Sequence, residues 1–196
     1  MPLLRPRRPF LDWTIESDLE AWGSVPAAII GLLHSEHYRG EARPNDQAGA
    51  PDAIREQSGQ FCDGARHWDF DIGAPLLHFL PQGGRDAGNL VEDGQDFAEH
   101  FRDSVRILKR QFETAAFSVM LGGDHGVTIP VLHALEVLNR PVHLVQIDAH
   151  IDWRAEVSGA RLGYSSVMRR ASELPWISGI TQTGIRGTGS ARADEV

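Results

Sequence analysis

The stretch VMLGGDHGVTIPVLHAL, Val119 to Leu135, decides the fold. An apolar run stops on two glycines and an Asp-His pair, then resumes with helical spacing. It reads as a buried strand turning directly into a helix, Val127 to Asn139, that Pro141 closes. The next stretch, VHLVQIDAHIDW (Val142 to Trp153), has the same plan: an apolar run ends on Asp, His and Asp at alternate positions. Strand, helix, strand in this order predicts an α/β protein with a mostly parallel sheet.

Working outward, AAIIGLLHS (Ala27 to Ser35) reads as a buried parallel strand, and Pro51 opens a helix running to Gln57. HWDFDIG reads as a further strand, and LPQGGRDAGN as a turn-rich loop. Glu92 to Phe112 is a helix, because Phe97, Phe101, Val105, Leu108 and Phe112 recur at helical spacing and form one apolar stripe. Ser165 to Glu173 forms a short helix, and ISGITQTGIRG a last strand. Residues 1–24 are expected to be an irregular, partly exposed lead-in anchored by Trp13 and Trp22, with one α/β domain over 25–196.

Composition bounds the function. The chain has 196 residues, with 41% hydrophobic and 23% charged side chains, which suits a globular domain with a real core. With 27 acidic against 19 basic residues, the formal charge of −8 argues against nucleic acid or an anionic membrane as partner. It is compatible with a small cationic substrate. A single cysteine, Cys62, rules out an internal disulfide framework and fits a reducing compartment. No apolar run is long enough to span a bilayer, so a cytoplasmic location is the expectation.

In an open parallel sheet, ligands bind outside the carboxyl ends of the strands. Both acidic and imidazole motifs fall there. Extended backbone would put Asp148, His150 and Asp152 on one side, since strand side chains alternate. Gly122 and Gly123 allow a tight turn that brings His125 to the same crevice, with Asp124 capping the helix rather than acting as a ligand. Packed carboxylates repel unless a cation is present. Mixed oxygen and imidazole donors without a thiolate favour manganese before zinc. The other seven histidines have no ligand spacing; His133 sits among apolar helix residues.

GGDHG followed by DAHID resembles the first two metal-binding signatures of the arginase/agmatinase (ureohydrolase) family, and GAPDAIR (Gly49 to Arg55) and GIRG (Gly184 to Gly187) are similar to further segments of it. The resemblance implies a three-layer α/β/α arginase-like fold, two Mn2+ ions, and an agmatinase-like activity. By the same resemblance, a metal-bridging hydroxide is expected to attack the carbon of a small guanidino substrate, with urea and an amine leaving. The resemblance further implies that His125 binds one ion, Asp148 bridges both and is thereby the catalytic carboxylate, His150 binds the second ion, and Asp152 completes the first. A trimer or hexamer is expected by the same analogy.

Two departures stand out. The family's later Asp-x-Asp signature, and the Glu beyond it, have no counterpart, since the DFD of Asp69 to Asp71 comes too early. The resemblance therefore implies a C-terminally incomplete domain with an incomplete second metal site. The alternative function is a catalytically inert paralogue or packing subunit, with poor solubility from uncovered apolar faces. In GYSSVMRRA, Tyr164 stands where agmatinase-like members place a His near the substrate. A one-metal deacetylase lacks an adjacent His-His pair, and a two-metal phosphoesterase lacks its Gly-Asn-His motif.

Overall fold

An all-apolar strand needs a neighbour on each edge, and Val25–Leu32 has both. The chain runs β1 (Leu3–Leu4), β2 (Thr14–Ile15), β3 (Val25–Leu32), α1 (Ala50–Ser58), β4 (Trp68–Asp69), β5 (Ala74–Pro75), β6 (Arg85–Leu90), α2 (Phe97–Thr114), β7 (Ala115–Gly122), α3 (Thr128–Ala134), β8 (Val142–Ile147), α4 (Val167–Ser172) and β9 (Ile177–Thr183). This is a computed structural model, and it describes residues 3–40, 46–60, 63, 66–91 and 96–187. The fold is α/β with a mostly parallel sheet, as the alternation of strands and helices predicts. Its contacts divide it into two units.

The first unit is built on the sheet β1-β6-β3-β7, with β2 also paired to β6. β3 runs parallel to both β6 and β7, which is why Ala27 to Leu32 are buried throughout. Its apolar core gathers Leu11, Trp13, Ala27 and Ile29, with Leu76, Val119 and Leu121 against them.

Three expectations change here. The lead-in is not wholly irregular: two-residue β1 pairs antiparallel and two-residue β2 parallel with β6, and Trp13 and Trp22 are buried. HWDFDIG is a strand only over Trp68–Asp69, a two-residue rung against Ala74–Pro75, because Asp69 Oδ1 accepts the amides of Asp71 and Ile72 and turns the chain. RDAGNL is not loop but the fully buried strand β6. Its charges are tolerated because Asp86 is ion-paired and Arg85 is held by neutral acceptors and an aromatic face. Arg55, 1% exposed, donates through Nε and an Nη to Asp86, 0% exposed, at 2.8 and 2.9 Å. A third guanidinium bond reaches Asn89 Oδ1 at 2.6 Å. The Asp86 carboxylate also accepts the Phe10 and Gly88 amides, both at 3.0 Å. Arg85 lies 4.2 Å over the Trp22 ring and donates to Thr114 at 2.9 Å, and burial, with Arg110 nearby, pulls its pKa down to about 10.

The second unit packs α3 and α4 on the parallel pair β8–β9. Ile129, Leu132, Val167, Met168 and Ala171 form its core, with Leu144, Ile177 and Ile180 supplied by the strands. Every other β8 residue faces away from that core, and Val145 and Ile147 are exposed. The expected Val127-to-Asn139 helix is split: 3-10 turns over His125–Val127 and Leu135–Leu138 flank α3, and Asn139, at φ 48°, ends the run in the left-handed region. α2 has the expected period but a rotated buried line. His100, Ser104, Ile107, Leu108 and Gln111 are buried, while Phe97, Phe101, Val105 and Phe112 are half-buried. Residues 92–95, expected as its first turn, lie outside the described residues, as does the ARADEV end. No helix among the described residues is long and apolar enough to cross a membrane.

Candidate metal centre

The Gly-Gly-Asp-His turn is shaped by close approach rather than by unusual dihedrals. Neither Gly122 nor Gly123 has positive φ, but a Cβ on Gly123 would sit 2.7 Å from the Leu33 carbonyl oxygen. Asp124 caps the turn that follows: Oδ1 accepts the Gly126 amide at 2.8 Å, and Oδ2 accepts the Ser35 hydroxyl at 2.7 Å. Its carboxylate is thus occupied locally, and His125 becomes the first residue able to reach outward.

The DAHID segment is not an extension of β8, which ends at Ile147. The Asp148 amide still bonds the Thr183 carbonyl at 3.0 Å, and the Ala149 carbonyl accepts the amides of Arg186 and Gly187, so the GIRG segment pins the loop. Asp152 then turns left-handed at φ 48°. This turn, not strand alternation, carries its carboxylate to His125. Its carbonyl meanwhile accepts the Met168 amide at 3.1 Å and the Arg169 amide at 3.3 Å, tying the loop to the start of α4.

The result brings three of the four expected ligands together. His125 Nδ1 is 2.7 Å from Asp152 Oδ2 and 3.7 Å from Asp148 Oδ2. One donor atom from each of His125, Asp148 and Asp152 lies within 4.8 Å of the others, close enough for the three to share one ion. His150 stands apart from this group. Its ring is 68% exposed, with Nδ1 3.4 Å from Asp148 Oδ1. Its amide donates to the same oxygen at 2.8 Å and is the main reason the Asp148 carboxyl is held below the usual carboxylate range; His125 adds to the effect and partial burial opposes it. Two carboxylates facing one imidazole form a net acidic pocket that fits a dication.

Sequence reasoning missed the groups behind the cluster. Gln146, buried on β8, donates to Asp152 Oδ2 at 3.1 Å and accepts from Gln182 of β9. A lone amide inside an apolar strand, two residues before Asp148, was the available signal. Tyr164 lines a cleft beside the cluster together with His150, Asp152, Trp153 and Arg154, of about 230 Å3. Its ring is 4.7 Å from that of Tyr38, whose hydroxyl accepts the Ser165 amide at 2.9 Å.

An α/β fold with clustered carboxylates and imidazole at the carboxyl end of a parallel strand defines a candidate metalloprotein. The arginase family model matches residues 26–196, and the chain belongs to that family. It is 29% identical over 171 residues to the agmatinase of Bacillus subtilis, covering 84% of this chain and 53% of that one. To the guanidinobutyrase of Pseudomonas aeruginosa it is 30% identical over 98 residues, 47% of this chain and 31% of the relative. Among solved structures, proclavaminate amidino hydrolase from Streptomyces clavuligerus superposes with a TM-score of 0.72 at 23% identity, over 98% of this chain and 58% of that one, a likeness of fold. The chain thus spans about half the length, or less, of the relatives it matches.

Proposed function

We propose that this chain is a divalent-metal-dependent hydrolase of a small guanidino compound, releasing urea and an amine. The observation that carries the reading is the convergence of His125, Asp148 and Asp152 in a member of the arginase family. The agmatinase and guanidinobutyrase among its relatives support guanidino compounds as the substrate class. Manganese suits the donor set best, since carboxylate and imidazole are present without thiolate.

His125, Asp148 and Asp152 would hold one ion. Asp148, with Oδ2 toward His125 and Oδ1 toward His150, is the carboxylate that would be shared if His150 helped to hold a second. A bound dication supplies Lewis acidity, drawing the pKa of water toward neutrality and offsetting charge at the attacked carbon. The protein does the rest. The acidic cluster favours the approach of a guanidinium cation. Gln146 fixes the Asp152 carboxylate, and Trp153 and Tyr164 wall the cleft.

The test is urea release from agmatine, 4-guanidinobutyrate and arginine, with Mn2+ and after chelation. Metal-dependent urea supports the reading, and none from any of the three rejects it. A second reading, a metal-binding subunit without turnover, is favoured by one observation: the cluster among the described residues offers three donor groups, enough for one ion.

A further inference from the structure

The cleft beside the metal cluster is lined by residues of both charge signs. Asp152 and Arg154 both border it. The backbone of Arg154 is braced, its amide donating to the Ser165 carbonyl at 3.0 Å, in the same turn where Ser165 bonds Tyr38. Its guanidinium is exposed and, among the described residues, enters no ion pair with a carboxylate, whereas Arg169 and Arg170 both engage Glu173. A volume of about 230 Å3 is below the range of about 300–1,000 Å3 of sites for drug-sized ligands, so the cleft suits a short substrate within reach of both charges.

A guanidino compound whose reacting end lies at Asp148 and Asp152 extends its tail along this wall. A tail ending in an ammonium meets Arg154 as a like charge. A tail ending in a carboxylate meets a planar donor fork that matches it in a paired, charge-assisted bond. We infer that Arg154 sets the substrate class of this site to guanidino carboxylates in preference to guanidino amines. This rests on the ureohydrolase reading for its chemistry, but not for its binding preference.

Agmatine and 4-guanidinobutyrate are of similar length and differ in the sign of the terminal charge, so they isolate the effect. With the full chain loaded with Mn2+, urea release gives kcat/KM for each, and calorimetry gives Kd for each. A preference of about tenfold or more for 4-guanidinobutyrate is expected, of the size a partly exposed charge pair supplies. R154A should shrink that ratio, with the loss falling on KM and Kd, and R154E should reverse it. Because the side chain is exposed and, among the described residues, forms no ion pair, both variants should keep the wild-type circular dichroism. Urea from agmatine in preference to 4-guanidinobutyrate overturns this inference and leaves the hydrolase reading standing. Tighter binding of 4-guanidinobutyrate without urea from either compound supports the inference and rejects the hydrolase. No binding of either compound, or a ratio unchanged in R154A, overturns it.

Discussion

Replacing Asp86 by Asn tests how a six-residue polar segment becomes a buried strand. Asp86 is fully buried and accepts four hydrogen bonds: two from Arg55 at 2.8 and 2.9 Å and two from backbone amides at 3.0 Å. Asn keeps the shape, so no cavity term enters. It removes the charge facing a guanidinium that is itself 1% exposed, and it turns an NH2 toward groups that only donate. Breaking a buried pair from one side costs about 3–5 kcal/mol, because the other charge stays behind uncompensated. For a chain of this size, 1 kcal/mol corresponds to about 2–4 °C in Tm, so D86N should melt roughly 6–20 °C below wild type. The double variant R55M/D86L should recover only part of this, since the Phe10 and Gly88 amides lose their acceptor at about 1–3 kcal/mol each. Thermal and urea unfolding followed by circular dichroism measure both. A D86N loss below about 1 kcal/mol would refute the claim that this pair permits β6.

The cluster and the second core yield further expectations. Q146L removes the amide that orients Asp152 and should weaken Mn2+ affinity about 10–100-fold by calorimetry, with little change in fold; unchanged affinity would show that Asp152 needs no such support. His133 lies between the Phe101 and Trp176 rings, and burial, with Lys109 adding, holds its pKa below the ordinary value of 6.5. The folded state therefore binds this proton less readily than the unfolded one. Its contribution is intact above pH 6.5 and is lost as pH falls from there toward the folded value. Between pH 7.5 and 5.5 the wild type should lose more urea-unfolding free energy than H133Q, and equal slopes would contradict the assignment.

Much of this was legible in the residues, and what was not has identifiable physical reasons. VHLVQI reads as a strand and is one to the residue, because β-branched and apolar side chains with a following acidic break leave little alternative. RDAGNL does not read as a strand, because its stability comes from Arg55 and Thr114, partners 29 or more positions away that composition cannot announce. α2 shows the same effect in a helix: its phenylalanines give the period, yet the most buried line carries His100, Ser104 and Gln111. At the site, the Asp-His and Asp-x-His-x-Asp motifs locate the cluster. Strand alternation nevertheless gives the wrong route for Asp152, which arrives through a left-handed turn while His150 stays exposed. Arg154 carried no signal, since only the folded loop brings it beside the same cleft as Asp152 and Tyr164.

The most direct measurement is a calorimetric titration of the metal-free full chain with Mn2+, repeated on D152N. At least one ion should bind with micromolar or tighter affinity. D152N, which suits the left-handed backbone but removes the charge 2.7 Å from His125 Nδ1, should weaken it by about a hundredfold or more. No Mn2+ uptake by wild type, or uptake that D152N leaves untouched, would mean that His125, Asp148 and Asp152 do not form a metal site.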